Sequence, residues 1–133
     1  MTRSVTAPVV AVVAGGSAPR GEIATEQLVI RLAPDETGRG RVLVRGEIDI
    51  QGAPDLHQAL VLALGTGSGR LLVNLAEVSF SDCSGLNVLL KINARARRMG
   101  VAFVLEAPSA SVDRLLSLTK SRKVFTIRDV PEA

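Results

Sequence analysis

Reactive side chains are few in this chain, and several of them sit together. The stretch Phe80–Leu86, FSDCSGL, holds the only cysteine, Cys83, between Asp82 and Ser84, with Ser81 and Gly85 at its flanks. A thiol, two hydroxyls and a carboxylate within four positions suit a thiol site, a modified serine or the capped start of a helix. Ser81, Asp82 and Ser84 all have cap-forming side chains. Helix starts expose unpaired N–H groups and carry about half a positive charge, which favours anionic groups there. Gly85 leaves room for a close approach to the backbone. Catalytic alternatives find little support. The one histidine, His57, lies far along the chain between Leu56 and Gln58 and reads as a surface residue. No His/Cys/Asp cluster has zinc spacing. GTGSG at 65–69 follows a helical pattern and precedes a strand, the wrong order for a phosphate cradle, so it reads as a linker. The expectation is a chain that is not an enzyme and uses no cofactor or metal.

The elements that must position this stretch are legible as alternating patterns. QLVIRLA from Gln27 alternates as a strand, and RVLVRG follows after the turn-rich PDETGRG, which suits a hairpin. RLLVNL (70–75) and VAFVL (101–105) are near-continuous apolar runs, as in strands buried on both faces of a parallel sheet. KVFTI (123–127) reads as a short last strand. Helical patterns lie between. The first spans about Pro54 to Leu64, with Leu56, Leu60 and Leu64 recurring. The second spans about Ser84 to Met99, with Leu86, Leu89, Leu90 and Ala94 inward and Asn87, Lys91, Arg95 and Arg98 outward. The third spans about Ser109 to Thr119, with Val112, Leu115 and Leu116 inward. The order β-β-α-β-α-β-α-β predicts an α/β fold with a small mixed sheet and parallel crossovers.

Composition bounds the rest. The 133 residues suit one domain, and an apolar fraction of 47% supplies a core, mostly aliphatic because there are three Phe and no Trp or Tyr. One cysteine cannot close an internal disulfide, which favours a reducing compartment and a cytoplasmic setting. No apolar run is long enough for a membrane span. The net charge of +3 is small and its arginines are scattered, which speaks against direct nucleic-acid binding. Residues 1–26 lack periodicity and read as a disordered tail, leaving 27–133 as the folded domain.

FSDCSGL resembles the motif of the bacterial anti-sigma factor antagonist family, the STAS domain, in which Asp-Ser-Ser/Thr-Gly-Leu opens a helix. VRGEIDIQGAPDLHQAL (44–60), LLVNLAEVSFSD (71–82) and PSASVDRLLSLTKSRKVFTI (108–127) resemble other family segments in the same order, so the resemblance covers about residues 27–130. It implies a STAS-like mixed sheet of four to five strands with helices mainly on one face. It also implies binding to an anti-sigma factor with a histidine-kinase-like ATPase domain, release of a sigma factor, and control by phosphorylation at the start of the second helix. A phosphatase would reset that control. The implied partner surface comprises Glu47, Asp49 and Gln51 with Asp82, Cys83, Ser84, Gly85 and Asn87. A sensor or scaffold module of the same family, without phosphotransfer, is the rival reading.

Three departures stand out. The family's acceptor follows the Asp directly, and here that residue is Cys83. Three readings stand open: Ser84 as a displaced phosphoacceptor, a constitutive binder that escapes phosphorylation, and Cys83 as a redox switch favoured by its helix start. Secondly, Lys120 stands after "LT", where the family commonly has Gly in a left-handed turn. Thirdly, the usual last helix is short or absent, which would expose apolar sheet surface and favour a homodimer.

Overall fold

The computed structural model describes residues 12–13, 28–32, 40–65 and 69–129. Its elements run β1 (Val12–Val13), β2 (Leu28–Leu32), β3 (Gly40–Ile48), α1 (Ala53–Leu64), β4 (Arg70–Ser81), α2 (Cys83–Met99), β5 (Ala102–Glu106), α3 (Ala110–Leu118), a short 3-10 turn (Arg122–Val124) and β6 (Thr126–Arg128). The six strands form one sheet in the order β1-β2-β3-β4-β5-β6. β2 and β3 pair antiparallel, and β3, β4, β5 and β6 pair parallel with their neighbours. The mixed α/β architecture therefore follows the sequence pattern.

β4 is central, and its continuous apolar run has the reason expected of a parallel strand. Leu71, Val73 and Leu75 point into a core shared with all three helices, including Leu56 and Leu60 of α1, Leu89 and Ile92 of α2, and Val112 and Leu116 of α3. Each such fully buried Leu or Ile contributes about 1.5–3 kcal/mol. Leu72 points the other way and is also buried. On that second face Glu106 of β5 is fully buried. It accepts from Arg41 Nη2 at 2.8 Å and from Asn74 Nδ2 at 3.1 Å, so its charge is paired across three strands.

Four details differ from the sequence pattern. Ala94 is exposed, and Val88, Ile92 and Ala96 are buried in its stead. Ala94 follows Asn87 by seven residues, about two helical turns, so it shares the polar face. The last strand begins only at Thr126, because Arg122–Val124 form the 3-10 turn. β4 runs twelve residues, to Ser81, carrying the strand to the residue before Asp82. Val12–Val13, inside the predicted tail, pair with Ile30 and Val29 as a sixth strand. The other tail residues, and the chain end at 130–133 on which the last-helix expectation falls, lie outside the described residues.

Candidate functional site: the start of helix α2

β3 and β4 end side by side. Glu47 pairs with Phe80 and Ile48 with Ser81, and the Asp82 N–H donates to the Ile48 carbonyl at 3.1 Å. The next residues of each strand therefore lie next to each other: the 49–52 turn on one side, the α2 start on the other. Asp49 builds its turn. Its Oδ1 accepts from the Gln51 N–H at 3.0 Å and the Gly52 N–H at 3.1 Å, and its carbonyl accepts from the Ala53 N–H at 2.9 Å. α1 then starts with Pro54 in its first turn, where the missing N–H costs nothing.

Asp82 is the N-cap of α2. Its carboxylate accepts from the Ser84 N–H at 2.8 Å and, in a short hydrogen bond, from the Ser84 hydroxyl. That hydroxyl bond is the main reason the Asp82 carboxyl is held below its usual value of 3.8. The backbone N–H groups of Ser84 and Gly85 add to it, and burial pulls the other way. Ser84 is thus half-buried and turned toward Asp82, while Cys83, one residue earlier, is exposed. The cysteine is not a buried apolar filler.

Gly85 is buried, and its reason is internal. A Cβ there would overlap Ser81 Oγ and come 2.8 Å from Ile48 Cγ2. The close approach that the glycine permits is that of the domain's own β3 end, which brings the 49–52 turn against α2.

Of the predicted site residues, Asp49, Asp82, Cys83, Ser84 and Gly85 fall in this one junction. Glu47 and Gln51 are exposed on its β3 side, and Asn87 is exposed one turn into α2. Ser84 and Asn87 line a groove of about 420 Å³ between α1 and α2, together with Ile50, Pro54, His57 and Lys91. Sequence reasoning missed three contributors. Ile50 is 74% exposed although large and apolar; its signal was an apolar residue inside a polar turn, Asp49-Ile50-Gln51. His57 was read as an ordinary surface residue, yet it lines the same groove as Ser84. Phe80 is 49% exposed at the end of β4, beside α3 residues Arg114 and Leu118. Among the described residues no group of three His, Cys, Asp or Glu could hold a metal ion, and no helix is long and apolar enough to cross a membrane.

The family model described as "Mlab, STAS domain" matches residues 32–126, from the end of β2 to the start of β6. The chain belongs to the STAS-domain family of anti-sigma factor antagonists. An anti-sigma-B factor antagonist of Bacillus subtilis is 31% identical over 87 residues, covering 65% of this chain and 79% of that protein. One of Listeria monocytogenes is 29% identical over 101 residues, covering 76% and 89%. The crystal structure of an anti-sigma factor antagonist from Mycobacterium paratuberculosis superposes with a TM-score of 0.69 at 27% identity, over 79% of this chain and 88% of that one.

Proposed function

We propose that this STAS domain is a cytoplasmic anti-sigma factor antagonist. It binds an anti-sigma factor with a histidine-kinase-like ATPase domain and so frees a sigma factor. The contact surface is the α2 start with the 49–52 turn and the α1–α2 groove. The observation that carries the reading is the arrangement at that helix start, in a domain whose relatives are named anti-sigma factor antagonists. A phosphate there would be tolerated by the positive end of the α2 dipole. Inside a complex the same phosphate would be a buried, unpaired charge, which is costly.

The geometry favours a constitutive binder over a phosphoswitch. The exposed first position of α2 carries a thiol, which a serine kinase does not phosphorylate in the usual way. The nearest hydroxyl, on Ser84, is half-buried and engaged with Asp82. Ser84 is then the cap's partner, and no phosphatase is needed for reset. Against a redox role for Cys83, nothing among the described residues gives the thiol a resolving cysteine.

Incubation of the chain with the purified anti-sigma kinase and Mg-ATP, followed by mass mapping, tests this. The wild type is expected to stay unmodified and bound. Cys83→Ser is expected to gain phosphate at residue 83 and to dissociate. Ser84→Glu is expected to weaken the complex without kinase. Phosphate on Ser84 of the wild type would show that Ser84 is the displaced acceptor. No nucleotide-dependent complex with such an ATPase would leave the sensor or scaffold reading in its place.

A further inference from the structure

The outward face of α2 carries charge that the domain itself does not use. Ser84, Asn87, Lys91, Arg95 and Arg98 follow one another at three- and four-residue spacing, so they form one stripe running from the proposed contact site to the far end of the helix. The stripe spans roughly 20 Å at 1.5 Å per residue. Lys91, Arg95, Arg97 and Arg98 are all exposed, and α2 contains no acidic residue. None of these four cations has an ion-pair partner among the described residues. Two cations elsewhere in the domain do have partners: Arg41 with Glu106, and Arg122 with Asp113 and Asp129.

Local helix energetics do not explain the stripe. Cations in the last turn complement the helix dipole, which accounts for Arg97 and Arg98. Lys91 and Arg95 lie further in, and like charges four residues apart repel. A local conflict of this kind, without an internal gain, points outward. The sign also changes along the surface. Glu47, Asp49 and Asp82 lie at the junction that heads α2, whereas the length of the helix is basic. A partner meeting both must present opposite signs in a set order.

We infer that the stripe Lys91–Arg95–Arg98 is a docking surface for an acidic face of the anti-sigma factor, and that it steers and orients the encounter before the α2 start engages. This rests on the function proposed above. Its physical basis is complementarity: oppositely charged patches raise association rates and suppress wrong orientations, with less effect on dissociation. Lys91 joins the two regions, because it lines the α1–α2 groove with Ser84 and also belongs to the stripe.

Lys91→Glu separates this role from a structural one. An acid four residues before Arg95 is the helix-favouring order. The substitution should therefore leave Tm unchanged or raised. Binding of the full chain to the purified anti-sigma factor is followed by stopped flow at low and high salt. Lys91→Glu is expected to slow association roughly three- to tenfold at low salt, with a smaller change in dissociation and a shallower salt dependence. Unchanged association rates in Lys91→Glu, with Ser84→Glu still weakening the complex, would overturn the stripe and leave the proposed function standing. Absence of a wild-type complex would overturn both. Binding of duplex DNA that Lys91→Glu abolishes, with association to the anti-sigma factor unaltered, would assign the stripe to nucleic acid and overturn the inference.

Discussion

Helices α2 and α3 end in the same turn, built on different residues. In α2 the Val101 N–H donates to the Ala96 carbonyl at 2.9 Å and the Gly100 N–H to the Arg97 carbonyl at 3.2 Å. In α3 the Ser121 N–H donates to the Leu116 carbonyl at 2.9 Å and the Lys120 N–H to the Ser117 carbonyl at 3.1 Å. Both follow the pattern in which a left-handed residue satisfies the last carbonyls of a helix. The left-handed residue is Gly100 at φ 74° in one and Lys120 at φ 59° in the other. The left-handed conformation costs a lysine about 1 kcal/mol. The turn holds its shape around Lys120 because its neighbours fix it. Ser121 is buried, the Thr119 hydroxyl donates to the Leu115 carbonyl at 2.7 Å, and Arg122 bridges Asp113 and Asp129.

The starts of the two helices differ in another way. Each has a side-chain cap: Asp82 on the Ser84 N–H, and Ser109 on the Val112 N–H at 3.2 Å. α3 then closes on itself, with Asp113 of its first turn paired to Arg122. α2 has no acid in its first turn and exposes Cys83 there. The acid at the start of α3 is paired within the domain, whereas α2 exposes Cys83 at its start and a row of cations without ion-pair partners among the described residues.

The contrast can be broken experimentally. Gly85→Ala should have the largest effect, a loss of about 1–3 kcal/mol from overpacking, because Ile48 is a β-branched strand residue with little room to move. Denaturant unfolding would measure it, and an unchanged midpoint would mean that the β3 end yields easily. Asp82→Ala should cost about 1 kcal/mol as a lost cap. Its pH dependence has a definite sign. The Asp82 carboxyl lies lower when folded than its ordinary 3.8, so its contribution is present above about pH 4 and is lost as pH falls below that value. The stability difference between wild type and Asp82→Ala should therefore narrow in acid. A constant difference would show that the charge contributes nothing. Lys120→Gly should stabilise by about 1 kcal/mol, making the α3 end equivalent to that of α2. A loss instead would mean that the Lys120 side chain makes a compensating contact.

Much of this was legible in the residues themselves. The succession of strands and helices along the chain followed from alternation and apolar runs, and the start of α2 was placed within one residue because Asp82 is a strong cap followed by a helical period. What misled was Ala94, an apolar residue at a position whose angle is polar, and the run Lys123–Ile127, whose β-prone residues are partly folded into a 3-10 turn. The family resemblance marked Lys120 as standing where a left-handed glycine is usual, and the backbone there is left-handed.

The chain by itself determined its elements, its aliphatic core and the motif Asp82-Cys83-Ser84-Gly85, because periodicity and capping are local properties. Only the tertiary structure decided what those residues face. The Glu47–Phe80 and Ile48–Ser81 pairs bring together segments over thirty positions apart. That register gives Gly85 its internal neighbour, turns the Ser84 hydroxyl into a cap partner, and leaves Cys83 outward. Which side chain of a motif is reachable depends on burial and hydrogen bonding, and those arise only when strands distant in sequence end side by side.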